Sequence, residues 1–195
     1  MDPAVLTIII LIVIATICII YYKIQNKDMV YVKSDIDNKF YLVRDRNDKQ
    51  NACNMLARLK ENIFKLTNYV TDNHSEHPEM KLYVNQLFKG IQNVIIKESS
   101  PTSNYTSYCV NKGEELVFCL RIRKQGVLHD MNLMMYVVIH EISHVACPED
   151  GHTELFYKIF EFLCRLSIDI GLYEKIPFND NPVDYCGLMI TDSIV

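Results

Sequence analysis

The chain predicts an α+β fold: an apolar helix at the N-terminus, then one domain of helices carrying two β-hairpins. Three observations predict it. An uncharged run opens the chain, long segments show apolar residues at helical spacing, and short β-branched segments flank turn sequences between them. Residues 30–195, about 165 in all, are ample for one domain with a full core and too few for two.

The opening run, residues 4–22, is built mainly from Ile, Leu and Val and holds no charge. Its 19 residues are enough to cross about 30 Å of hydrocarbon at about 1.5 Å per residue. No basic stretch precedes it and no small-x-small site ends it, which disfavours a cleaved signal peptide. Tyr21 and Tyr22 suit an interfacial belt, and Lys23 and Lys27 follow at once. The positive-inside bias then translocates residues 1–3 and leaves residues 23–195 on the cytoplasmic or equivalent side of the membrane. Residues 4–22 are the expected lipid-contacting transmembrane anchor, 23–29 a juxtamembrane linker and 30–195 the folded domain.

Met29 to Lys33 and Lys39 to Arg44 read as strands around Asp35-Ile36-Asp37-Asn38, a hairpin beside the membrane. Asn51 to Val70 places Met55, Leu56, Leu59, Ile63, Phe64 and Leu66 on one helical face. The polar segment 71–78 is a loop whose His74 and His77 read as solvated rather than ligating. A second amphipathic helix follows over Met80 to Val94, then a loop over Ser99 to Ser107. Tyr108 to Val110 and Glu115 to Ile122 flank Asn111-Lys112-Gly113-Glu114, a turn with Gly available for positive φ, which makes the second hairpin. Leu116 to Arg121 is either the edge strand on which an extended peptide pairs or an ordinary strand packed on the core.

A net charge of −4 leaves no basic footprint for nucleic acid. Arg121, Arg123 and Lys124 form only a short cluster, read as an exposed strand end. Of seven cysteines, Cys18 lies in the apolar run, and no C-x-x-C pair exists to make a zinc ribbon. A cytoplasmic domain argues for free thiols, while an oxidising assembly environment would oxidise some. The sequons at Asn73 and Asn104 matter only if the topology is reversed.

The chemistry concentrates in His140-Glu141-Ile142-Ser143-His144, inside an apolar helix expected to begin at the N-cap Asp130. At i and i+4 the two imidazoles share a helical face and suit one Zn²⁺ ion. Glu141 stands where zinc hydrolases place a general base acting on metal-activated water. A carboxylate and two imidazoles in so apolar a run are costly unless they bind something. A catalytic zinc needs a third protein ligand. Pro148-Glu149-Asp150-Gly151 breaks the helix, and a new helix restarts at Thr153 and runs to Gly171. His152, at its entrance, is the first candidate, followed by Asp150 and then Cys147.

The motif, with Gly151-His152-Thr153-Glu154-Leu155-Phe156-Tyr157, resembles the WLM/SprT-like group of zinc peptidases. The resemblance implies a zincin-like fold, His140, His144 and His152 as ligands and Glu141 as base. Cys109-Val110-Asn111-Lys112-Gly113-Glu114 and Pro182-Val183-Asp184-Tyr185-Cys186-Gly187 are similar to membrane-anchored, WLM-like proteins of nucleocytoplasmic large DNA viruses. Tyr185 is the candidate oxyanion donor, with a core tyrosine as the alternative, and Met189 a candidate apolar floor. Two functions follow: a membrane-anchored zinc endopeptidase acting on proteins or peptides near the anchor, or a viral membrane protein that uses a zincin-like fold structurally in assembly or entry.

Overall fold

A computed structural model describes residues 2–25 and 27–195. Helix α1 (Pro3–Gln25) carries one face no more polar than another, and its side chains from residue 3 to 21 are exposed. The stretch Pro3–Tyr21 is long and apolar enough to cross a membrane.

Strands β1 (Met29–Lys33) and β2 (Phe40–Arg44) pair antiparallel, from Met29 opposite Arg44 to Lys33 opposite Phe40. The two-residue side-chain period turns Val30, Val32, Tyr41 and Val43 toward the core and leaves Tyr31 and Phe40 exposed. Helix α2 (Lys49–Asp72) buries Cys53, Leu56, Leu59, Ile63, Leu66 and Val70, the stripe that helical periodicity dictates. Two single turns of tighter helix, His74–Glu76 and Pro78–Met80, lead into α3 (Lys81–Ile91).

α3 ends earlier than its apolar spacing suggests, because the chain turns at Gln92-Asn93 into a strand absent from the sequence reading. That strand, β3 (Ile95–Glu98), runs parallel to β5 (Glu115–Phe118), which also pairs antiparallel with β4 (Tyr108–Val110). The order is β3-β5-β4. Leu116 to Arg121 is therefore no edge: β5 is central with Leu116, Val117 and Phe118 buried, and β3 and β4 flank it.

Helix α4 (Met131–Ala146) starts on the Asp130 carboxylate, which accepts from the Asn132 and Leu133 amides at 2.8 and 3.4 Å. It packs against α2, α3 and α5 (Glu154–Asp169) and is buried on nearly every side, as its uniformly apolar composition requires. Thr153 caps α5 through the Phe156 amide. A third hairpin, β6 (Val183–Tyr185) and β7 (Leu188–Ile190), closes the fold beyond the two expected.

Two further expectations change. Arg121 is no exposed strand end but 1% exposed. Its Nε donates to Glu98 at 2.8 Å, its Nη1 to Asp48 at 2.5 Å, and the Arg44 amide donates to the other Glu98 oxygen at 2.8 Å. This buried ion cluster joins β2, β3, the start of α2 and the segment after β5. Cys119 and Cys186 form a disulfide, which departs from free thiols throughout and matches the oxidised alternative; Cys18, Cys53, Cys109, Cys147 and Cys164 are free.

Candidate metal centre

His140 and His144 lie one turn apart on α4, their ring centroids 5.0 Å from each other. The chain leaves the helix at Cys147, and Gly151 adopts φ 80, a conformation that returns the backbone toward α4. His152 thereby meets both rings: its Nε2 is 3.0 Å from His140 Nε2, and one ligand atom from each of the three histidines lies within 4.8 Å of the others. A tetrahedral zinc at about 2.0–2.1 Å from each nitrogen needs ligand atoms about 3.3 Å apart. The donor chemistry fits as well. Burial and mutual repulsion lower His140 to about 3 and His144 to about 4, so both are neutral imidazoles with free lone pairs at neutral pH.

Aromatic packing fixes the ring planes. Phe156 stacks on His144 at 4.3 Å and 27°, and Phe160 meets His140 edge-on at 5.2 Å. These phenyl groups are one turn apart on α5 and fully buried, so the two helices hold the histidines from both sides. Asp150 takes no part: its side chain is 99% exposed and lies 3.2 Å from Lys112. Cys147 is buried at the helix end and outside the cluster.

Lys112 is a participant the sequence did not announce. Its ammonium donates to the Cys147 and Glu149 carbonyls at 2.9 and 2.8 Å, tying down the loop that delivers His152. It reaches them because the 111–114 turn is pressed against α3. A Cβ placed on Gly90 would stand 2.6 Å from the Lys112 carbonyl oxygen and 2.5 Å from Val145 on α4.

The histidines open into a cavity of about 820 Å³. Tyr108, Cys109 and the Asn111–Lys112 turn line it together with Tyr136, Val137 and Phe160. Met189 is 54% exposed and lines the cavity beside Leu188, at its mouth rather than its floor. Glu141 faces the same cavity at 5% exposure, and burial raises its carboxyl to about 8. Tyr185 also lines it, 2% exposed, with its hydroxyl bonded to Ser107 Oγ. Burial, with Glu141 nearby, keeps this phenol above its ordinary pKa and therefore neutral.

The chain is 42% identical over 184 residues to Uncharacterized protein R325 of Acanthamoeba polyphaga mimivirus, covering 93% of each. It belongs to that protein's family. Uncharacterized protein 136R of Invertebrate iridescent virus 6 is 37% identical over 83 residues, 41% of this chain and 44% of that one. No family model matches the chain. Among solved structures it resembles Wss1 from Saccharomyces cerevisiae, at 17% identity over 65% of this chain and 84% of that one, with a TM-score of 0.48.

Proposed function

We propose that this chain is a membrane-tethered zinc endopeptidase. The observation that carries the reading is the convergence of His140, His144 and His152 in one cavity with the buried carboxyl of Glu141. Zinc held by the three rings would supply Lewis acidity toward a scissile carbonyl and acidify a water molecule. Glu141 is the proton carrier. Its carboxyl is buried at the cavity with its pKa raised to about 8; a cation held by the histidines would draw that pKa down, so that Glu141 accepts a proton and returns it to the leaving amine. Tyr185, neutral and within the cavity, is the hydrogen-bond donor to the carbonyl oxygen as charge develops there. The exposed apolar stretch Pro3–Tyr21, followed by Lys23 and Lys27, supports a single span with the domain on the cytoplasmic or equivalent virion face.

The test has two stages. The purified chain should carry about one zinc ion, and a mixed peptide library incubated with it should gain new N-termini. Glu141→Gln should keep the zinc and the cellular abundance while the new N-termini disappear. A Glu141→Gln chain that performs as well as the parent would end the enzymatic reading and leave an interaction protein.

A further inference from the structure

We infer that the Cys119–Cys186 disulfide and Ser107 act together as a clamp that positions the Tyr185 hydroxyl in the cavity. The inference rests on the metal-centre reading above for its chemistry, though the clamp itself is read from the hairpin.

The β6–β7 hairpin forms a two-stranded sheet of its own, with no hydrogen-bonded strand from the other sheets among the described residues. It follows thirteen residues, 170–182, without helix or strand. Its orientation therefore depends on side-chain attachments: Val183 and Ile190 pack against the core, and the covalent and hydroxyl attachments fall on residues 186 and 185. Cys186 is bonded covalently to Cys119, one residue beyond β5. Tyr185 bonds through its hydroxyl to Ser107, one residue before β4. Ser107 Oγ in turn accepts the Cys119 amide at 3.1 Å. The chain thus closes a ring that leaves Cys119 twice, by its amide through Ser107 to the Tyr185 hydroxyl, and by its sulfur through Cys186 to the Tyr185 backbone. The His129 ring completes the seat, 5.2 Å from the Tyr185 ring with Nε2 3.4 Å from Cys186 Sγ.

The turn itself carries the same message. Cys186 and Gly187 join β6 to β7 with φ 53 and φ 87, the geometry of a two-residue hairpin that favours Asn-Gly. A cysteine in the left-handed region is a poor local choice, and the covalent bond to Cys119 is what that position gains in exchange. Both cysteines are buried, Cys119 at 3% and Cys186 at 1% exposure, and Cys186 directly follows the cavity-lining Tyr185.

The experiment uses the zinc-loaded full-length chain in detergent and acetohydroxamate as probe, whose carbonyl oxygen stands in for the substrate's. Tyr185→Phe should weaken probe binding about tenfold, the loss of one hydrogen bond to a charged acceptor. Cys119→Ala/Cys186→Ala should weaken it about as much with zinc content unchanged, and Ser107→Ala should do likewise while Ser107→Thr, which keeps the hydroxyl, restores it. Adding the two cysteine changes to Tyr185→Phe should cost nothing more, because all act through one hydroxyl. Losses that simply multiply, or a cysteine variant that binds like the parent, overturn the clamp. Hydrogen exchange supplies a readout free of metal: residues 183–190 should exchange faster in the cysteine variant while α4 and α5 stay protected, and unchanged exchange overturns it. A parent chain that binds no zinc defeats the metal reading, and the exchange result still decides the clamp.

Discussion

Replacing Glu141 with glutamine should stabilise the metal-free domain, and the gain should grow with pH. Burial raises the Glu141 pKa from 4.5 to about 8. Between those values the folded protein holds a proton that the unfolded chain releases, so its contribution is fully present below pH 4.5 and is lost as pH rises through about 8. At about 1.4 kcal/mol per pKa unit, the parent at pH 7 has lost on the order of 3 kcal/mol relative to pH 4. Glutamine has the same shape and carries no charge, so the variant lacks this loss. His140 and His144 act in the opposite sense. Their folded pKa values are depressed, from 6.5 to about 3 and about 4, so they weaken the fold as pH falls below 6.5. The metal-free parent should then be most stable near pH 6 to 7, whereas Glu141→Gln should keep the acid limb and lose the alkaline one. Urea unfolding of residues 27–195 in chelator, from pH 5 to 9, reads both curves. Parallel curves for parent and variant across pH 5 to 8 would refute the buried-carboxyl account.

Three other outcomes follow from the geometry. His152→Ala should lose most of the bound zinc and Asp150→Ala little; zinc analysis showing the reverse would move the third ligand to Asp150. Arg121→Met strips Glu98, whose side chain has no exposure, of its closest cation, and should destabilise by about 3 kcal/mol in urea. Pairing it with Glu98→Leu should recover much of that loss. Gly90→Ala drives a methyl group into Val145 and the Lys112 carbonyl, so unfolding should show a loss of about 1–3 kcal/mol, accompanied by weaker zinc retention as the Lys112 turn shifts.

The elements that periodicity governs were legible. α2 and α3 show apolar residues every three to four positions, β1 and β2 alternate around a polar turn, and Asp130 and Thr153 are capping residues at helix starts. β3 was not, because Ile95–Glu98 is four residues long and its partner β5 lies beyond a loop and another strand. A short parallel pairing leaves no local mark. Arg121 is a similar case: among nearby basic residues it resembles surface, and only Glu98 and Asp48, 23 and 73 positions away, make its burial tolerable.

The same division runs through the candidate site. His140 and His144 are fixed relative to each other by a single helical turn, and His152 returns after only eight residues, so their meeting is a nearly local event. Phe156 and Phe160 inherit their places from the same short connection. Tyr185 stands more than forty residues from His144, on a hairpin whose seat is made by Ser107 and Cys119, and no spacing rule links those three segments. Lys112 likewise reaches the His152 loop only because Gly90 lets a turn and a helix touch. The candidate ligand atoms can be placed by local rules because metal binding would ask for a few atoms at short range. The groups that aim them depend on long-range closure, and there the determining residues are a glycine, a serine and two cysteines that look ordinary in sequence.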